Sequence, residues 1–392
     1  MRVILLTGKG GVGKTTVAAG TATLGARSGQ RTLVLSTDAA HSLSDVFGVP
    51  IGAEPTEVEP GLHVQQVDAQ RRFEQSWSEI QGYLLSVLDT VGVDAIAAEE
   101  LTVIPGAEEV LALLEVRAHA RSGQWDLLVV DCAPTAETLR LLALPEALGW
   151  YMDRVLPLER RVVKALRPVL SRAAGVPMPQ DTVFDAIERL HRDLEEVHGL
   201  LTGEHASVRL VLTPETMVVA EARRSLTTLS LFGYRVDGVV ANRVFPEAGS
   251  DSWRDGWVAA QSRVLSDVEQ SFGGLPIWRS TYQTREPLGP DELGRFAADL
   301  YGSDDPFARP SGEGPLTVRR TRSGTSLRIA LPFVAREDVD LARHGHELVV
   351  TVGSYRRLVA LPAALTKQTL AGARVDDAGL EILFAGPAGK PA

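Results

Sequence analysis

The chain has 392 residues, 44% hydrophobic and 23% charged, with a formal net charge of −10. Its single cysteine, Cys132, excludes an intrachain disulfide and any multi-cysteine zinc or iron–sulfur site within one chain. Before residue 303 there are 28 Lys and Arg against 40 Asp and Glu, which argues against nonspecific nucleic-acid binding, and no run reaches the roughly 18 apolar residues of a membrane span, so a cytoplasmic location is expected.

The first predicted element is a strand over residues 2–6. It runs into Gly8-Lys9-Gly10-Gly11-Val12-Gly13-Lys14-Thr15-Thr16, where G-x-x-x-x-G-K-T fits on Gly8, Gly13, Lys14 and Thr15. An alanine-rich stretch over 17–24 suits a following helix. Strand, glycine-rich turn and helix form the setting of a polyphosphate-binding loop: the glycines let successive N–H groups turn toward one anion, and the helix N-terminus adds a favourable field. Lys14 is expected on the β- and γ-phosphates and Thr15 on magnesium. Lys9 is a second lysine beyond what the loop's own phosphates require.

Further β-type runs at 32–35, 63–67, 127–130, 209–212, 236–241 and 276–278 alternate with helical patterns. They predict an α/β fold with a mostly parallel sheet covered on both faces. Two longer intervals, 68–124 and 145–205, read as helical insertions. Apolar stripes run through Trp77, Ile80, Leu84, Val87, Leu88 and Val91, through Val155, Leu158, Val162, Leu166 and Val169, and through Phe184, Ile187, Leu190, Leu194, Val197 and Leu201. Either these helices pack on each other and on the sheet, or they line a groove between two subunits for an apolar partner helix.

Residues 303–315 form a linker by their glycine, proline and charge content. Beyond it the period becomes two, with Leu327, Ile329, Leu331 and Phe333 followed by runs at 346–352, 356–361 and 380–384. A small β-sandwich is expected over 316–386, then a tail at 387–392. The segments at 355–362 and 378–382 resemble the end of the α-crystallin, or small heat-shock, domain.

Three more segments join the phosphate loop: residues 36–47 (STDAAHSLSDVF), 130–140 (VDCAPTAETLR) and 240–243 (VANR). Together the four resemble the ArsA-type ATPases, which include the arsenite-pump ATPase and the GET-pathway factor for tail-anchored membrane proteins. The resemblance spans roughly 1–302 and implies a P-loop NTPase fold with a deviant Walker A loop of the SIMIBI type. It further implies ATP and Mg2+ as ligands, with Gly8 through Thr16 holding phosphates and Asn242 reading adenine. Asp38, Asp131 and Thr15 would sit around magnesium. Asp45 would orient the attacking water, and Lys9 would reach the partner's nucleotide in a homodimer. His41 would hydrogen-bond within the first switch, Pro134 and Thr135 would belong to the second, and Glu286 and Gly289 fit an adenine loop in which Thr281 replaces a proline.

The departures also matter. The pump's metalloid cysteines and the targeting factor's paired-cysteine zinc clasp are both missing, and Cys132 reads as a small buried residue. The expectation is an ATP-hydrolysing homodimeric chaperone or targeting factor for hydrophobic protein clients, without zinc or nucleic acid, a membrane partner being left open. An ATPase energising metalloid-anion transport and a MinD-like positioning ATPase are the alternatives.

Overall fold

The structure is a computed structural model that describes residues 1–37, 42–67, 107–133, 181–247, 251–321, 324–366 and 368–385. Elements are numbered in chain order among these residues. Eight strands, β1 (Arg2–Thr7), β2 (Thr32–Ser36), β3 (Thr56–Glu59), β4 (Leu62–Gln66), β5 (Leu127–Asp131), β6 (Ala206–Leu212), β7 (Val236–Val244) and β8 (Ile277–Thr281), form one sheet in the order β3-β4-β2-β5-β1-β6-β7-β8. Every pair is parallel except β3 with β4. The central strands are buried along their whole length, as near-continuous apolar runs in a parallel sheet with two covered faces must be. Parallel register brings Leu6 beside Asp131 on one side and Arg209 on the other, so the C-terminal strand ends gather at one edge.

The helices are α1 (Lys14–Arg27), α2 (Ser42–Phe47), α3 (Ala107–Ser122), α4 (Asp181–Thr202), α5 (Thr216–Leu231), α6 (Ser252–Phe272), α7 (Gly289–Tyr301) and a short α8 (Ala363–Thr366). The edge strand β3 was not foreseen, β7 runs on to Val244, and α1 begins at Lys14 instead of Val17.

Residues 67–123 and 140–200 make a compact unit of their own, holding α3 and nearly all of α4. Within it Leu194 and Val197 are buried while Glu188, Arg192, Glu195 and Glu196 are exposed, the amphipathic pattern expected of α4. Arg117 on α3 binds Asp193 at 2.7 Å and Glu196 at 2.6 Å on α4. The predicted stripes at 77–91 and 155–169, and the side chains of Phe184 and Ile187, lie outside the described residues.

The main sheet encloses a polar cluster. Arg209, 1% exposed, donates from Nη2 to Asp237 Oδ2 at 2.9 Å and from Nη1 to the Tyr301 hydroxyl at 2.9 Å, with its guanidinium 4.6 Å from the Trp278 ring centroid. Arg2 reaches the same Asp237 oxygen at 2.9 Å. Burial pushes the Arg2 guanidinium down to about 10, Asp237 opposing it, which still leaves it charged at neutral pH. Burial works against the charge on Arg209 as well, but Asp237 and Tyr301 outweigh it and hold its pKa above the ordinary arginine value. Two cations sharing one carboxylate need the extra hydrogen bonds and ring faces to satisfy them.

Past the linker come β9 (Leu316–Thr321), β10 (Gly324–Ile329), β11 (Val339–His344), β12 (Glu347–Val352), β13 (Tyr355–Ala360), β14 (Thr369–Asp376) and β15 (Gly379–Ala385), in antiparallel sheets ordered β14-β15-β10-β9 and β11-β12-β13. Leu327, Ile329, Leu380, Ile382 and Phe384 of the first and Leu348, Val350 and Val359 of the second are buried. This domain is fastened to the main sheet's helices. Arg357 Nη1 donates to Leu231 O, Thr227 Oγ1 donates to Pro332 O at 2.6 Å, and Phe333 meets Phe272 edge-on at 6.1 Å. The linker is held too, by Arg209 Nη2 on Pro306 O at 2.7 Å and Arg235 Nη1 on Gly312 O at 3.0 Å. Because α5 runs from the C-terminal end of β6 back to the start of β7, its Leu231 end lies at the sheet edge opposite the phosphate loop.

Candidate phosphate-binding site

The loop leaves β1 pressed against β6: a Cβ on Gly8 would stand 2.0 Å from Val211 O, so only glycine fits there. Val12 is buried and anchors the loop. Gly11 and Gly13 take φ of 82° and 94°, the left-handed region that favours glycine. A Cβ on Gly10 or Gly11 would meet nothing within 4 Å, so this side of the loop opens as a cradle lined by backbone. At Gly13 the chain enters α1, which has no side-chain N-cap and no acidic residue in its first turn. Its leading N–H groups have no acceptor of their own helix, the condition for holding an anion.

Lys14 is 7% exposed and its Nζ lies 3.4 Å from Lys9 O, so its side chain folds back over the cradle. Thr15 and Thr16 follow, half-buried, on the first turn. Lys9 is half-buried and forms no ion pair among the described residues.

Asp131 closes β5 at 1% exposure, one strand from the loop. Thr37 ties the ends of β2 and β5 together: its N–H donates to Asp131 O at 3.0 Å, and its hydroxyl accepts from the Ala133 N–H at 3.3 Å. A hydroxyl on the first turn of α1 and a buried carboxylate at the adjoining strand end suit a hard divalent cation that keeps most of its waters. Cys132 is buried beside them, its N–H on Leu6 O at 3.1 Å, a small packing residue as expected. Asp45 is exposed on α2, which packs on α1. Asp38, His41, Pro134 and Thr135 lie outside the described residues.

Asn242 is drawn into the site from β7. It is 6% exposed, and its Nδ2 donates to Val12 O at 2.8 Å. The register of β7 on β8 jumps between Ala241 and Val244, leaving Asn242 and Arg243 in a bulge where Arg243 takes φ 58°. Phe245 then stacks on Tyr282 at 5.3 Å and 14°, with Trp253 and Trp257 beside it. Tyr282 directly follows Thr281 in the predicted adenine loop, in which Glu286 is exposed and Gly289 opens α7 at φ 74°. The aromatic group and the helix α6 behind it were not foreseen as parts of this site. The signal available was the clustering of Phe245, Trp253, Trp257 and Tyr282 after predicted strand ends.

None of the described helices is long and apolar enough to cross a membrane. Residues 1–302 match the family described as Anion-transporting ATPase (ArsA ATPase), and residues 322–384 match the HSP20-like domain found in ArsA. The uncharacterized protein SCO2128 of Streptomyces coelicolor is 40% identical over 394 residues, 98% of this chain and 97% of that one. A Chlorobaculum tepidum protein, provisionally named an arsenical pump-driving ATPase, is 36% identical over 388 residues, 98% and 96% of the two chains. ATPase get3 of Aspergillus niger is 26% identical over 319 residues, 80% of this chain and 93% of that one.

Proposed function

Since the chain belongs to the ArsA family of ATPases and carries that family's HSP20-like domain, we propose that it is a magnesium-dependent, homodimeric ATPase that couples closure on ATP to holding hydrophobic protein clients. The observation that carries this reading is the joining, on one core, of a phosphate cradle at one sheet edge and an HSP20-like domain fixed at the other through Arg357 and Leu231. By fold-level analogy, a domain of that kind would serve protein contact rather than chemistry. The similarity to ATPase get3 lends it weaker support.

In this mechanism the loop N–H groups and Lys14 take up the charge of the transferring phosphoryl group, and Asp45 places the attacking water. Thr15, Asp131 and Asp38 are the residues that would hold magnesium, which would supply charge neutralisation to the triphosphate. Asn242 would present its amide to the base. Lys9 would lend its charge to the nucleotide of a second copy, as an arginine finger does.

The test is sedimentation of the purified protein with Mg2+ and ATP or a transition-state mimic, beside light scattering from an aggregating client. Doubling of mass with nucleotide and ATP-dependent suppression of scattering are expected. A persistent monomer, or a client indifferent to ATP, would defeat the proposal.

Energising anion export is the second reading, favoured by the names of several relatives. Soft metalloids call for clustered thiolates, whereas the one cysteine here is buried. Turnover stimulated by arsenite would reverse that ranking.

A further inference from the structure

We propose that Gln261, on α6, is a positioning residue for nucleobase selection: it clips the β7 bulge into the form that aims Asn242 at the phosphate loop. The inference rests on the nucleotide reading above, in which Asn242 faces the base.

The clip uses both ends of one buried amide. Gln261 is 6% exposed; its Oε1 accepts from the Phe245 N–H at 2.7 Å, and its Nε2 donates to Arg243 O at 3.1 Å. These are the backbone groups that flank the bulge and would otherwise have lost their ladder partners where the register jumps. The bulge needs such a hold because Arg243 sits at φ 58°, where a residue with a side chain stays only if its surroundings over-determine it. Asn242 is the residue just before it, and its side chain crosses to Val12 O at 2.8 Å. Flattening the bulge by one residue would turn Asn242 to the other face of β7.

The same clip sets the outer wall. Phe245, fixed by its N–H, stacks on Tyr282, whose own N–H donates to Val244 O at 2.8 Å. One glutamine therefore holds the chain on both sides of Val244. Among the described residues Gln261 itself hydrogen-bonds only to Arg243 and Phe245, and reaches the phosphate loop only through the single Asn242–Val12 bond, so its effect is expected to be larger on the base than on the triphosphate.

The experiment measures binding of ATP, GTP and inorganic tripolyphosphate to the full chain by calorimetry, for the wild type, Gln261→Met, Asn242→Ala and the double variant. Gln261→Met should lose about tenfold in ATP affinity, the effect of misplacing one hydrogen-bonding group, and shed its preference for ATP over GTP, while tripolyphosphate, still held by the loop N–H groups and Lys14, loses clearly less. In the Asn242→Ala background the Gln261 change should add nothing, because both act through one group. Gln261→Glu keeps the acceptor for Phe245 but faces Arg243 O with a carboxylate. It should show the same selective loss, which guards against a Gln261→Met protein that fails to fold. Equal weakening of ATP and tripolyphosphate, or additive losses in the double variant, would overturn the inference and leave the nucleotide reading standing. An Asn242→Ala protein with undiminished base preference would overturn both the base role of Asn242 and the clip.

Discussion

The amide of Asn242 occupies the space that a side chain on Gly13 would need: its Nδ2 lies 2.3 Å from where that Cβ would be, and it donates to Val12 O at 2.8 Å. The last glycine of the loop is thus fixed twice, by its φ of 94° and by a neighbour from β7. Gly13→Ala should destabilise the protein by about 1–3 kcal/mol and remove ATP binding. Gly10→Ala, whose Cβ would meet nothing within 4 Å, should melt like the wild type and weaken ATP binding only by crowding the cradle. Calorimetric melts and ATP titrations of the two variants decide it; equal melts would refute the double constraint.

The two lysines should separate in a kinetic comparison. Lys14→Ala is expected to lower ATP affinity and turnover together, by roughly 100-fold or more in kcat/KM, because it removes a charge poised over the cradle. Lys9→Ala should bind ATP normally and lose about 10³ in kcat, the lower end of what a cation supplied in trans contributes. A Lys9→Ala enzyme with full turnover would remove the cross-subunit role.

Asp45 is exposed on α2 and forms none of the described ion pairs, so its removal should spare the fold. Asp45→Asn is expected to leave the melting temperature and ATP affinity unchanged while lowering single-turnover hydrolysis by about 10²–10⁴. An unaltered single-turnover rate would take Asp45 out of the mechanism.

Asp237 neutralises two buried guanidiniums, Arg2 and Arg209, each at 2.9 Å. Asp237→Asn is expected to cost about 3–5 kcal/mol, since it strands charge in the interior. Urea unfolding measures this, and a loss below about 1 kcal/mol would mean that Tyr301 and Trp278 satisfy the cations unaided.

How much of this was readable follows from the range of each interaction. The loop and its helix were legible because Gly8, Gly13, Lys14 and Thr15 are local, and the parallel sheet because buried strands must be apolar throughout. β3 was not: Thr-Glu-Val-Glu is short and polar, and it forms only as an edge on β4. Arg209 opens a predicted strand run, and its meaning lies with Asp237, 28 residues on, and Tyr301, 92 residues on. Gln261 is likewise an unremarked polar residue of an amphipathic helix until Arg243 is seen at positive φ. The metal and switch expectations at Asp38, His41, Pro134 and Thr135 remain sequence readings.

The hold of Arg357 on the Leu231 carbonyl should be testable without touching the cradle. Arg357→Ala removes a buried hydrogen bond between charged and neutral partners, worth about 1.5–3 kcal/mol, and should speed proteolysis between residues 309 and 316 while ATP affinity holds. Unchanged cleavage would show that the Thr227–Pro332 and Phe272–Phe333 contacts suffice.

That fastening has a mechanical consequence. With Arg209 gripping the Pro306 carbonyl and Arg357 the Leu231 carbonyl, the HSP20-like domain is no pendant on a string. In the dimer proposed above it would be the far arm of a lever whose near arm holds the nucleotide, so a small tilt of each copy against its twin during hydrolysis would be delivered, enlarged, to whatever that domain touches.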